Sequence, residues 1–278
     1  MLHVAHNSSQ LARPVQRIYR LPEALDTSAL LAAFRHVVST HDALRMRIVC
    51  DDGEWRQCFP EWMPTIKGIS IEGGTPEQRE RFAFGALLGE SAAALDLERD
   101  PPISAAIARV DGRYLFALTV DHLAADDTAF DLIERGLERA YRQLHADVDP
   151  SPPPDEASLP AYLARERNRA AQVDALPFWL DLLRDAPLAP ASMRMHWVAG
   201  RQASWMLDGD ETVRLHRACR ALACSPFVAL LAAQAILLAR LGGDLATGGH
   251  LPVSNRVDAI YQQGIGKLSL LAHLPGCA

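Results

Sequence analysis

Two apolar segments joined by two turn residues constrain the fold of this chain more than any other feature. Residues 103–110 and 113–120 lie on either side of Asp111-Gly112, and their composition predicts two strands joined by a tight turn. Helical spacing of apolar residues resumes at 128–144. Residues 121–127 therefore form a short loop at a strand end, where a rigid scaffold can hold a side chain in a cleft.

Strand and helix patterns alternate along the remainder of the chain. Apolar residues at strand spacing predict further strands at 14–21, 45–49, 54–59, 204–207, 245–252 and 268–274. Apolar residues at helical spacing predict further helices at 26–41, 75–95, 161–169, 176–183, 210–222 and 226–241. This mixture indicates an α/β or α+β fold class.

A proline-rich segment divides the chain. Residues 149–160 contain five prolines, a composition typical of a linker. We therefore expect two lobes, residues 1–172 and residues 173–278, with the strand-end loop in the first.

Charge and hydropathy exclude two classes of partner. The formal net charge is −6, and the 28 lysines and arginines are scattered, so no phosphate-binding surface for nucleic acid is expected. The longest strongly apolar stretch, residues 227–239, is shorter than the roughly 20 residues that span a bilayer, so no membrane partner is expected. The first residues lack the pattern of a signal peptide, which predicts a cytoplasmic location.

The sequence offers no pattern for a bound metal or nucleotide. The five cysteines include no C-x-x-C pair, and the ten histidines have no metal-ligand spacing. The segment Gly264-Ile265-Gly266-Lys267 lacks the glycine pattern of a nucleotide-binding loop and is interpreted as a turn.

The best candidate for chemistry is His122, in the strand-end loop Asp121-His122-Leu123-Ala124-Ala125-Asp126-Asp127. An imidazole there could deprotonate or position an attacking amine or hydroxyl. Asp126 and Asp127 precede the predicted helix, and one of them is explained by capping of its N-terminus. Asp121, Asp126 and Asp127 together would favour the protonated imidazole, a weak base, unless a cation engages a carboxylate.

This loop resembles the H-H-x-x-x-D-G motif of the condensation domains of nonribosomal peptide synthetases, and the resemblance extends from about Gln16 to the C-terminus. Further segments similar to ordered elements of that family are 41–45 (H-D-A-L-R), 97–105, 178–183 (F-W-L-D-L-L), the helix from Ser225, 248–256 (G-G-H-L-P-V-S-N-R) and 264–266 (G-I-G).

The resemblance implies two chloramphenicol-acetyltransferase-like lobes arranged as a V. It implies that donor and acceptor carrier proteins, beside neighbouring synthetase domains, present acyl and aminoacyl thioesters on phosphopantetheine arms, and that the domain joins them by an amide bond. His122 takes the position of the functional histidine, and Asp126 is expected to pair with Arg256 across the junction of the lobes. Asn255 and Arg45 belong to the matched motifs. The chain itself is expected to bind no cofactor or metal.

Several positions depart from the family pattern. Asp121 replaces the first histidine, and strand alternation turns it to the face opposite His122. Asp127 replaces the closing glycine, and its carboxylate would repel a developing oxyanion. Asp121 with Asp126 resembles heterocyclisation domains, although the serine of that pattern is Ala129. Asp126-Asp127 resembles the ending of the motif in oxygenase-recruiting domains, so a catalytically silent recruitment or docking role is a further alternative.

The chain is short for this family. The second lobe is expected to be incomplete, and its helix at 226–241 is apolar on nearly every side. We therefore expect an exposed apolar surface on this helix, or burial of it against another copy.

Overall fold

The computed structural model describes residues 2–7, 14–92, 95–151, 158–172, 174–184, 206–242 and 249–274. The chain divides into two compact units, one of Met1–Gln172 with Ser254–Ser269, the other of Val173–Val253 with Leu270–Ala278. The sequence placed residues 254–269 in the second lobe. They lie instead in the first unit, because Tyr261, Ile265 and Leu268 are buried in its core.

The elements alternate as the sequence indicates, and the fold class is mixed helix and sheet. The strands are β1 (Leu2–Asn7), β2 (Val15–Leu21), β3 (Arg47–Asp51), β4 (Glu54–Cys58), β5 (Ile66–Ile69), β6 (Ile103–Val110), β7 (Arg113–Val120), β8 (Gly249–Ser254) and β9 (Ser269–Leu274). The helices are α1 (Thr27–Ser39), α2 (Pro76–Ala92), α3 (Asp127–His145), α4 (Leu159–Gln172), α5 (Leu176–Leu183), α6 (Gly209–Ala221) and α7 (Pro226–Gly242). Short 3₁₀ turns occupy Asp42–Arg45 and Ala259–Gln263.

The first unit contains a five-stranded sheet in the order β1-β2-β7-β6-β5. All its pairs are antiparallel except β5 with β6, which is parallel. The predicted hairpin is confirmed: Val110 pairs with Arg113, and Asp111 and Gly112 both have positive φ, as a two-residue turn requires. The strand β3 pairs with β4 in a separate hairpin.

Helices cover both faces of this sheet, because alternate residues of its central strands are buried on opposite sides. Phe116 and Leu118 of β7 belong to the larger core cluster with α1 and α3, whereas Leu115 and Ala117 pack with Ala83 and Leu87 of α2. The end of β7 is therefore fixed from both sides, and the loop that follows it starts from a rigid position.

The second unit contains α5, α6 and α7 and most of the pair β8–β9. The apolar surface predicted on α7 is present in this chain, where five large side chains are about half exposed: Phe227, Val228, Leu230, Ile236 and Leu237. Its burial against another copy stays a prediction. The strand predicted at 204–207 begins outside the described residues, and Met206 and Leu207 are not in a strand. Among the described helices, no single one is long and apolar enough to cross a membrane.

Candidate functional site

The loop after β7 is held by Asp121. Its backbone N–H donates to the carbonyl oxygen of Pro102 at 2.7 Å, which continues the sheet by one residue. Its Oδ1 accepts a hydrogen bond from the N–H of Leu123 at 2.8 Å, and its carbonyl oxygen accepts from the N–H of Ala124 at 2.9 Å. The Asp121 side chain is buried and therefore acts on the shape of the loop.

His122 is half-buried, and one of its ring nitrogens is fixed by the same loop. Its Nδ1 lies 2.9 Å from the carbonyl oxygen of Ala125. A carbonyl oxygen only accepts, so Nδ1 carries the proton, and in the neutral ring Nε2 presents its lone pair. This arrangement leaves Nε2 as the atom that can accept a proton.

Asp126 is the N-cap residue of α3, and its carboxylate binds groups in three parts of the first unit. Its Oδ1 accepts a hydrogen bond from the N–H of Ala129 at 2.9 Å, which caps the helix. Its Oδ2 accepts from Arg256 Nη1 at 2.7 Å and from the N–H of Leu268 at 3.0 Å. The predicted ion pair is confirmed, with side chains 4% and 6% exposed, although both partners belong to the first unit and do not lie across the two lobes.

The surroundings of Asp126 stabilise its charged form. Burial alone raises the pKa of this carboxyl, but the hydrogen bonds from Arg256, Ala129 and Leu268, together with the charge of Arg256, hold the pKa below its usual range. The sequence indicated that a cation should engage one of the carboxylates around His122. Arg256 is that cation, and the carboxylate is that of Asp126.

Arg256 also fixes the segment that follows it. Its Nη2 donates to the carbonyl oxygens of Gly264 and Gly266, each at 3.2 Å. Asn255 points to another set of groups, since its Nδ2 donates to the hydroxyl of Tyr162 at 2.7 Å and to Glu166 Oε2 at 3.1 Å. Asn255 therefore ties α4 to this segment.

Two of the predicted site residues lie apart from these contacts. Asp127 is the first residue of α3, and its side chain is exposed. Arg45 Nη2 lies 2.5 Å from Asp42 Oδ1, and its Nη1 donates to the carbonyl oxygens of Phe59 and Pro60. In the described part of the chain, no hydrogen bond or ion pair joins Arg45 to His122, Asp126 or Arg256.

Sequence reasoning missed Lys267, whose Nζ lies 3.2 Å from Nε2 of His122. The segment 264–267 was interpreted as a turn, which it is, but no local pattern indicated that its lysine reaches a residue 145 positions earlier. Lys267 is one of only two lysines in the sequence, but this rarity does not indicate which residue it contacts. Within the described residues, no group of three His, Cys, Asp or Glu side chains could hold a metal ion.

Comparison with known proteins agrees with this arrangement. Residues 6–267 match the family model described as Condensation domain. Over 210 residues the chain is 30% identical to one of the proteins that make up the linear gramicidin synthase of Brevibacillus parabrevis, and the match covers 71% of this chain and 3% of that protein.

Solved structures share the fold. The first condensation domain of the CDA synthetase has a TM-score of 0.70 at 22% identity, over 95% of this chain and 63% of that chain. A chain of the complex of the X-domain and OxyB from teicoplanin biosynthesis has a TM-score of 0.75 at 23% identity, over 95% of this chain and 60% of that chain. The chain therefore spans less than two thirds of the length of each of these relatives.

Proposed function

Because the chain belongs to the condensation-domain family, we propose that it takes part in amide bond formation between carrier-bound acyl and aminoacyl thioesters, with His122 at the reacting amine. The observation that supports this proposal is the orientation of the imidazole. Its Nδ1 donates to the Ala125 carbonyl oxygen, so Nε2 is the ring nitrogen that can accept a hydrogen bond or a proton from an amine.

The chemistry requires that an amine nitrogen attack a thioester carbonyl carbon. Nε2 of His122 accepts a proton from the acceptor's amine nitrogen, or holds the amine in line, so that the lone pair of this nitrogen forms the new C–N bond. The C–S bond then breaks, and the leaving thiolate takes up the proton that the amine nitrogen released, from the imidazolium or through solvent. Asp121 and Ala125 act on this step only through the position of the ring.

The buried Asp126–Arg256 pair has a positioning role in this proposal. It caps α3 directly after the His122 loop and holds the 264–268 segment against the same loop. Since its charges are paired with each other, neither is free to act on a substrate. The proposed partners are donor and acceptor carrier proteins, with the thioesters carried on their phosphopantetheine arms.

A second candidate is a catalytically silent domain that recruits or docks another protein. Two observations favour it: Asp127 places an exposed carboxylate where the family motif has glycine, and Lys267 contacts the lone pair of His122. A structural neighbour is the X-domain in its complex with OxyB. The heterocyclisation alternative receives less support, because Ala129 offers only a methyl side chain at the position of that motif's serine.

The test is single-turnover amide formation between two loaded carriers, followed by mass spectrometry of both carriers. We expect His122→Ala to lower the rate by about 10²–10⁴-fold. The control is His216→Ala, which replaces an exposed histidine on α6 and should leave the rate unchanged. An unchanged rate in His122→Ala would contradict the mechanism, and no product with any carrier pair would support the recruitment role.

A further inference from the structure

The lone pair of His122 is already engaged in the structure. Its Nδ1 donates to Ala125, and its Nε2 lies 3.2 Å from the Nζ of Lys267. A lysine ammonium has three donors and no acceptor, so it donates to Nε2. The atom at which an incoming amine would be held is therefore occupied by an amine of the chain itself.

The backbone at Lys267 is fixed by the buried ion pair. The residue before it, Gly266, accepts a hydrogen bond from Arg256 at 3.2 Å, and the N–H of the residue after it, Leu268, donates to Asp126 at 3.0 Å. The same Asp126 caps the helix that follows the His122 loop. Lys267 and His122 are thus presented to each other by one shared set of contacts.

Whereas the backbone at Lys267 is fixed, its side chain is exposed, and a lysine side chain is a flexible four-carbon stem. The other lysine, Lys67, has its Nζ 2.7 Å from Glu90 Oε2. For Lys267, no ion pair is present among the residues that the structure describes, and its contact is the imidazole of His122. An exposed hydrogen bond of this kind is weak enough for another amine to replace it.

We propose that Lys267 occupies the position of the acceptor amine at His122 and that an acceptor must displace it. This inference rests on the proposed function. An aminoacyl acceptor arrives as an ammonium with the same donors as Lys267, and one lone pair accepts one strong hydrogen bond. Competition of this kind raises the KM for the acceptor and leaves kcat unchanged once the acceptor is saturating.

The first test measures the accessibility of Nε2 without any carrier protein. Diethyl pyrocarbonate acylates unprotonated imidazole nitrogens, and peptide mass spectrometry follows His122 and, as an internal reference, the exposed His216. We expect Lys267→Met to accelerate modification of His122 relative to His216 by about two- to fivefold, because a weak exposed hydrogen bond is removed. Lys67→Met should match the wild type, and Lys267→Arg, which keeps a cationic donor, should remain slow.

The second test measures transfer with varied acceptor concentration. Lys267→Met is expected to lower the KM for the acceptor by about two- to fivefold with kcat unchanged, since the same weak contact is lost. Equal rates of His122 modification in wild type and Lys267→Met, with amide formation intact, would overturn this inference alone. Absence of amide formation in both proteins would overturn the proposed function and this inference together.

Discussion

Arg256 Nη1 donates to Asp126 Oδ2 across 2.7 Å, and these two side chains, 130 residues apart in sequence, are almost completely removed from solvent. Two charges in such a place depend on each other, because neither has water as an alternative partner. The pair also reaches the helix cap of α3 and the carbonyl oxygens of residues 264 and 266. Loss of either charge should therefore also weaken the cap of α3 and the hydrogen bonds to residues 264 and 266.

Replacement of Arg256 by alanine should lower the free energy of unfolding by about 3–5 kcal/mol, because it leaves the Asp126 carboxylate buried without its cation. Urea denaturation followed by circular dichroism measures this change. Arg142→Ala is the matched control: Arg142 Nη2 lies 2.6 Å from Glu138 Oε1, but that pair is largely exposed, so its loss should cost about 1 kcal/mol or less. Equal losses in the two variants would contradict the argument.

The lowered pKa of Asp126 predicts a defined dependence of stability on acid. Its folded pKa lies below the value of about 3.9 expected in the unfolded chain, so its contribution to stability is present above that value and is lost as the pH falls through the folded pKa. The stability difference between wild type and Asp126→Asn should therefore be constant from neutral pH to about 5, then shrink toward lower pH. Urea titrations at several pH values measure it, and a difference that grew with acid would have the wrong sign.

A second titration involves His41, whose Nδ1 lies 2.8 Å from the carbonyl oxygen of Val37. Burial lowers the pKa of His41, and the hydrogen bond to Val37 offsets only part of that effect. The unfolded chain therefore takes up a proton near pH 6.5 before the folded chain does, so stability is present above that pH and falls below it. His41→Gln should reduce the loss of stability between pH 7 and 5.5, as measured by urea denaturation at several pH values.

Substitutions of Asp121 and of His122 should affect different properties, stability for Asp121 and the transfer rate for His122. Asp121→Asn keeps a side-chain oxygen for the N–H of Leu123, so it should preserve both stability and the transfer rate. Asp121→Ala leaves that N–H without its partner and should lower stability by about 1–2 kcal/mol. Thermal unfolding and the single-turnover assay measure the two properties. A loss of rate in Asp121→Asn equal to that in His122→Ala would assign Asp121 a direct chemical role.

The exposed face of α7 should bind apolar dyes. Leu230 and Leu237 are 56% and 55% exposed and lie two turns apart on one side of the helix. The double replacement of both residues by glutamate should reduce the fluorescence of bound anilinonaphthalene sulfonate. Leu123→Glu, which changes a leucine 56% exposed in the first unit, is the control and should have little effect on the dye.

The central hairpin could be predicted because both of its strands are apolar and its turn is Asp111-Gly112. The strand β5 could not, since its four residues contain a glycine and its stability depends on parallel pairing with β6. Tertiary pairing of this kind leaves no local pattern in the sequence. The strand β1, paired with β2, escaped prediction for the same reason.

The site divides in a similar way. His122, Asp126 and Arg256 could be predicted because each occupies a position in an ordered motif. The contact between His122 and Lys267 could not, because it joins residues 145 positions apart and depends on the turn that Arg256 fixes. The assignment of residues 254–269 to the second lobe failed because these residues return to the first unit, a tertiary arrangement that chain order does not reveal.

The return of residues 254–269 to the first unit has a consequence for synthesis on the ribosome. Asp126 is translated 130 residues before the arginine that neutralises it, with the whole interval that contains α4 to α7 in between. At about 5–20 residues per second, the nascent first unit exists for roughly 7–26 s with a helix-capping carboxylate and no guanidinium beside it. During that interval the core of the first unit lacks Tyr261 and Leu268. These residues belong to a segment that is translated later, and this segment completes the core.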